Sequence, residues 1–380
     1  MNVLRQLYPY ELKKLLQTKV LWIGTLIMVA LCILINFAQT AENSRGLANI
    51  KQQNEAARAL SGRPVDEQLL TEMKDNLAED QTEINPNDPY FEVEQFVWFT
   101  TMSAKSFRTI DEDSLYQARL AKVKSNRNDM SLTENEEVFW SEKENQISTP
   151  ITYTYSKGYR GFIMNIYASN YILIILIGLC LSAVFADEYE KKTDQLLLCT
   201  RFGKQKLFYA KLLAGLTVGI VQTILMLGIP LAINFAFFGT DGFDAAIQTL
   251  LPECSLSLSL GNAFLITLGV AFIIGILYSV FSMFLSVVFK ARAVVIGVMV
   301  LQLFSSQINL PSAFRGLSDA WNYLPGTFLG GWMFTECRLV PILGHYLTAY
   351  QAAPIIYLVV GILLFVFARR AYRNWQITGR

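Results

Sequence analysis

The chain has 380 residues, a net charge of +1, 53% hydrophobic side chains and 17% charged ones, whereas a soluble domain carries about 25% charged residues. So even a charge balance leaves no basic footprint for nucleic acid, and the single histidine, His345, all but excludes histidine-based metal or triad chemistry. The apolar residues are gathered into long charge-free runs with the charge pushed between them. The expected fold class is therefore an all-α polytopic membrane protein with six transmembrane helices, an amino-terminal interfacial helix, and a small, mostly helical extracytoplasmic domain between helices one and two.

In residues 1–19, Leu4, Leu7, Tyr8, Leu12, Leu15 and Leu16 recur at helical spacing, with Arg5, Glu11, Lys13 and Lys14 on the other faces. This suits an amphipathic helix in the membrane interface, bent at Pro9, and an ordinary juxtamembrane helix fits the same spacing. Residues 20–38 form the first span. The run is too long for a signal-peptide core and no small-residue cleavage site follows it, so it is read as uncleaved. A membrane helix needs about 20 apolar residues, because a rise of ~1.5 Å per residue must cross ~30 Å of hydrocarbon. The runs at 162–186, 212–238, 262–289, 293–310 and 354–368 supply five more spans.

Between the first and second spans, residues 39–160 read as a folded unit. A helix is expected over 64–80 with Leu69, Leu70, Met73 and Leu77 on one face, and another over 111–126 with Leu115, Tyr116, Leu120 and Val123. Ser131-Leu-Thr-Glu134 resembles a capping box ahead of a third helix carrying Val138, Phe139 and Trp140. Residues 151–155 alternate like a short strand, and Tyr153, Tyr155, Tyr159 and Tyr167 suit an interfacial aromatic belt. A bridge between Cys254 and Cys337 stays open.

Lysine and arginine crowd the amino-terminal segment (Arg5, Lys13, Lys14, Lys19), the loop after the second span, the turn holding Lys290 and Arg292, and the tail from Arg369. The two short loops of the other side carry only Arg315 and Arg338. The positive-inside rule then places both termini in the cytoplasm and residues 39–160 outside, as in a multi-pass protein of the cytoplasmic (inner or plasma) membrane.

The loop 187–211 opens with Asp187, Glu188 and Glu190, passes Thr193 and the triplet Leu196, Leu197 and Leu198, breaks at Gly203 and ends in base. Acid before and base after a short amphipathic helix complement its dipole, and a merely solvated loop has no use for three consecutive leucines. Here the sequence resembles the membrane subunits of ABC exporters of the second exporter class, the ABC-2 type permeases. Their acidic turn after the second span, threonine, leucine-rich coupling helix, basic turn and following lysine are matched by Glu188, Glu190, Thr193, Leu196, Leu197, Arg201 and Lys211. Lys192 stands where that family has glycine, and Cys199-Thr-Arg-Phe replaces its Pro-x-Ser-Arg-like turn.

The resemblance implies a cytoplasmic ABC ATPase subunit as partner, a second permease chain (as homodimer or heterodimer), and coupling through residues 187–211. No Gly-x-x-x-x-Gly-Lys-Ser/Thr run occurs in the sequence, so no cofactor is expected in this chain. ATP and Mg would act in the partner ATPase, and the chain itself is not expected to be an enzyme. The spans carry no Asp, Glu, Lys or Arg, which argues against ion-coupled transport. Their amides and hydroxyls, Asn36 and the cluster Gln302, Ser305, Ser306, Gln307 and Asn309, suit either interhelical hydrogen bonds or the wall of a substrate path. Residues 311–351 read as re-entrant or interfacial helices before the sixth span.

The function expected is export of an amphipathic peptide (an antimicrobial peptide among the candidates), lipid or drug-like molecule. A peptide-binding membrane receptor or scaffold is the alternative. Besides its protein partners the chain is expected to contact the lipid bilayer and no nucleic acid.

Overall fold

The computed structural model describes residues 2–43, 49–77, 88–103, 106–194, 196, 203, 205–308, 310, 315–326, 328–342 and 344–374. Among the described residues, five helices are long and apolar enough to cross a membrane. They are α2 (Lys19–Asn43), α9 (Lys157–Leu181, continued by α10, Ala183–Glu190), α11 (Lys206–Phe238), α12 (Leu260–Phe289) and α16 (Ala349–Arg373). The protein is thus an all-α polytopic membrane protein. The segment expected to be the fifth span departs from expectation. Its helix, α13 (Arg292–Ser305), has 14 residues, about 21 Å at 1.5 Å each, too short to cross ~30 Å of hydrocarbon. Its end coincides with the polar side chains Gln302, Ser305, Ser306 and Gln307, and the two serine hydroxyls compete for backbone carbonyls.

Helix α9 is the hub of the bundle. Most of its apolar side chains from Phe162 to Leu181 are buried, against α2, α11, α12 and α13. Small residues set the α11–α12 approach: a Cβ on Gly219 would run into Ser279, and one on Gly275 into Thr223, which is how membrane helices gain contact without a hydrophobic drive. Helix α2, by contrast, exposes Trp22, Leu26 and Leu34, as a lipid-facing helix must. Helix α1 (Asn2–Leu16) runs through Pro9 and lies across α11, where the Tyr8 hydroxyl is 3.0 Å from Thr217 Oγ1.

The segment between α2 and α9 folds around its own core of Leu69, Leu70, Met73, Val93, Phe96, Val97 and Leu115. Its helices begin where capping chemistry allows. Asp66 accepts from Leu69 N at α4 (Glu67–Asn76), Asp111 and Ser114 cap α7 (Glu112–Asp129) reciprocally, and Thr133 with Glu136 caps α8 (Glu134–Glu144). The third box therefore sits two residues later than the sequence suggested. Three further helices, α3 (Ile50–Ala59), α5 (Phe91–Thr101) and the single turn α6 (Ser106–Thr109), were not anticipated. The 151–155 alternation shows in burial of Ile151, Tyr153 and Tyr155, but only Thr152 forms a bridge, to Pro64.

Tyr153 and Tyr155 are not a belt. They are buried, and their hydroxyls donate to Ala57 O (3.1 Å) and Phe238 O (3.0 Å). The stretch before α16, expected to form re-entrant or interfacial helices, is only partly helical among the described residues. It holds the short helices α14 (Arg315–Asn322) and α15 (Trp332–Thr335) and a hairpin of β1 (Val340–Ile342) and β2 (His345–Leu347). It packs on the loop domain, with Trp140 Nε1 donating to Cys337 O at 2.6 Å and Leu339 N to Glu136 at 2.8 Å. Cys254 and Cys337 are free and buried.

Glu136 is the clasp between the two segments, bonded also by Arg315 (2.6 Å). Burial alone would raise its carboxyl. Hydrogen bonds from Arg315 and from the Thr133 and Leu339 amides outweigh this and hold it below the usual carboxylate range. A depressed folded pKa adds stability that is full above the unfolded value of about 4.3 and lost as pH falls through the folded value. Glu136→Gln should therefore destabilise the protein at neutral pH, and the gap to the wild type in denaturant midpoint should close as the solution is acidified.

Candidate functional site

The amino-terminal helix and the last turn of α16 meet at one end of the bundle, the terminal face. Here the chain changes course after the second span. Ser182 ends α9 and α10 starts at once. The break leaves two amides over, and Phe185 N (3.1 Å) and Ala186 N (2.9 Å) both donate to Ser286 Oγ of α12, whose hydroxyl in turn donates to Ser182 O at 2.6 Å. That serine clip aims the acidic turn at its neighbours.

Lys211, one turn and a half into α11, is fully buried, with its side chain 0% exposed. Its ammonium lies 2.6 Å from Glu188 Oε1 and 2.9 Å from Glu11 Oε2 of α1, and donates to Val184 O at 3.3 Å. Lys14, one turn beyond Glu11, reaches the same Glu188 oxygen at 2.9 Å. Burial alone would lower the Lys14 ammonium, but Glu188 and Glu11 raise it above its ordinary value. Two cations and two carboxylates thus balance, which a buried cluster requires. Three segments distant in sequence are locked by one carboxylate.

A second set of pairs joins the same turn to α13. Arg292 pairs with Asp187 and stands 3.1 Å from Glu190 Oε2, while its own amide donates to Glu190 Oε1 at 2.9 Å. Thr193 is tied back to Glu188, its amide donating to the Glu188 carbonyl at 2.9 Å. Tyr372 of α16 stacks edge-on against Phe185 and donates to Gly203 O at 3.1 Å. Of the residues expected at this site, Glu188, Glu190 and Thr193 are brought together. Leu196 points away, 76% exposed. Leu197 and Arg201 lie outside the described residues.

Sequence reasoning placed Glu11, Lys14 and Arg292 on one side of the membrane but saw no partners for them. The i, i+3 spacing of Glu11 and Lys14 on the amphipathic helix was the available signal.

The polar residues of the spans divide. Asn36 is fully buried and clips α2 to α9, donating to Ser169 Oγ at 2.9 Å and Cys32 O at 2.8 Å, apart from the others. Ser305 and Ser306 spend their hydroxyls on the carbonyls of Gln302 (2.8 Å) and Leu303 (2.7 Å) of their own helix. Gln302 accepts from Tyr278 of α12, and Gln307 accepts from Tyr167 of α9 at 2.9 Å. Asn309 lies outside the described residues. A cavity of about 170 Å³, lined by Leu277, Tyr278, Phe281, Gln302, Leu324, Pro325, Val360 and Leu364, opens beside Gln302. It is apolar apart from that amide and the tyrosine.

Residues 6–324 match the family model described as "ABC-2 family transporter protein". No curated protein matches the sequence.

Proposed function

The chain belongs to the ABC-2 transporter family and is a transmembrane subunit of an ABC transporter, whose ATPase is a separate subunit; from that premise we propose that it drives export of an amphipathic cargo through the terminal-face ion cluster. The observation that carries this reading is the double grip on the acidic turn, by Lys211 on one side and Arg292 on the other. In this reading the terminal face is cytoplasmic, and Thr193, Leu196, Leu197 and Arg201 belong to a coupling helix that docks on the ATPase. ATP and Mg act in that partner.

When the ATPases close, the push on the coupling helix reaches Glu188 and divides. Lys211 and Glu11 carry it to α11 and α1, and Arg292 carries it to α13. The amides of Gln302 in α13 and Gln307 just beyond it hold Tyr278 and Tyr167, so a tilt of α13 changes the wall of the proposed substrate path. Two permease chains, as homodimer or heterodimer, face each other across that path, and a peptide, lipid or drug-like cargo leaves between them. The uncharged interior of the spans suits a cargo drawn from the bilayer and an energy source outside it.

Leu196→Asp tests the docking. The side chain is exposed, so the thermal unfolding of the purified chain should not move, while the ATPase subunit that co-purifies in mild detergent should be lost. An ATPase retained by Leu196→Asp would remove the docking role, and absence of any ATPase from the wild-type preparation would favour the receptor or scaffold reading.

A further inference from the structure

Where the spans give way to the loop domain, α2, α5, α9 and α11 bound a cavity of about 380 Å³, large enough for a lipid headgroup. Its lining changes along the bundle axis. Lys157 and Arg160 stand at the domain side, Met164 and Asn165 lie one to two turns deeper on α9, and Phe238 of α11 completes the lining. The one carboxylate in the lining, Glu42, is exposed at the rim.

Three groups here are underused. Lys157 stands 4.9 Å from the Phe91 ring centroid and within electrostatic reach of the buried Glu92, with no carboxylate at ion-pair contact distance among the described residues. The Arg160 guanidinium is buried, donates to Gln95 Oε1 at 3.1 Å and keeps a 3.7 Å pairing with Glu92. Asn165 is 5% exposed, and its Nδ2 donor finds no acceptor. Buried donors are rarely left so, and this one lines the cavity. Lys157 and Asn165 are eight residues apart on one helical face, about 12 Å along the axis. A cation and an amide donor at different depths match a molecule with an anionic oxygen cluster at one level and a neutral acceptor below it. Met164, 52% exposed, continues the same face into the lipid-facing surface.

We propose that this cavity seats a phosphate-bearing glycerolipid of the domain-side leaflet. Its phosphate lies against Lys157 and Arg160, a glycerol-ester oxygen accepts from Asn165, and the acyl chains run past Met164. A free phosphate would satisfy the cations but leave Asn165 unpaired. The inference uses only this cavity and stands apart from the transport reading.

The test uses the full-length chain in neutral detergent and follows thermal unfolding during titration with phosphatidylglycerol, with diacylglycerol of the same chains, or with inorganic phosphate. Phosphatidylglycerol should raise the midpoint, and the other two should not. Lys157→Ala should weaken the phosphatidylglycerol effect about tenfold in concentration, as expected for losing one charge-assisted hydrogen bond, and Lys157→Arg should restore it. Among the described residues Lys157 makes no ion pair at contact distance, so Lys157→Arg, which keeps the charge near Glu92, should fold as the wild type does. An equal shift with diacylglycerol would overturn phosphate recognition, and an equal shift with inorganic phosphate would overturn the lipid as its source. A Lys157→Ala titration that matches the wild type would remove the site.

Discussion

Lys211→Met should destabilise the purified chain by about 3–5 kcal/mol, the range for stripping one partner from a buried ion pair. The side chain is fully buried, and its removal leaves Glu188 and Glu11 facing each other with only Lys14 to balance them. Denaturant or heat unfolding in detergent reads the loss. The diagnostic companion is the triple variant Lys211→Met, Glu11→Gln, Glu188→Gln, which removes the stranded charge and should recover most of the loss, because these three residues share one network and their effects do not add. A single-variant loss below about 1 kcal/mol would place the cluster among ordinary surface pairs. If the cluster transmits the stroke as proposed, the triple variant should fold and bind the ATPase yet lose substrate-stimulated hydrolysis, separating transmission from stability.

The second large effect is expected far from the terminal face. Arg119 sits in α7 with its side chain 2% exposed, 2.5 Å from Glu144 Oε1, and donates to Cys254 O at 3.2 Å. Arg119→Leu should cost about 3–5 kcal/mol by stranding Glu144 and the loop carbonyl. Glu144→Gln should cost less, about 1–3 kcal/mol, because the amide still accepts from the guanidinium. Limited proteolysis should show α7 and α8 cut first in Arg119→Leu. Equal protease resistance of wild type and Arg119→Leu would mean that Arg119 does not tie the domain together.

The course of the chain was largely legible because spans are written in composition. A charge-free run long enough to cross is a helix whatever its neighbours do, and α2, α9, α11, α12 and α16 follow. Helix α13 is shorter than the span expected at 293–310, because the polar side chains Gln302, Ser305, Ser306 and Gln307 interrupt the apolar run. In the loop domain the capping box ahead of α8 was legible to within two residues, and the buried face of α7 was legible in part, at Leu115 and Val123. Its stripe is Leu115, Arg119, Val123 and Arg127, whereas the apolar spacing gave Leu115, Tyr116, Leu120 and Val123. Two arginines hide in that stripe because partners from other segments, Glu144 and Ser255 among them, satisfy them.

The same limit applied at the candidate site. Each charge of the terminal face could be read, and its sign gave the orientation expected, but pairing among α1, α10, α11 and α13 is a property of the fold. Glu188 earned attention from a motif. That it holds Lys14 and Lys211 together could come only from the structure.

The account rests on the terminal face meeting the compartment that holds ATP. In a background with Cys199 replaced by serine, the remaining cysteines are buried, so single cysteines can report exposure to a membrane-impermeant maleimide on intact cells. Asp113→Cys, on the exposed face of α7, should label from outside, and Lys191→Cys, where the native side chain is 65% exposed, only after the cells are opened. Labelling of position 191 on intact cells with position 113 protected would invert the protein and contradict the proposed route of energy.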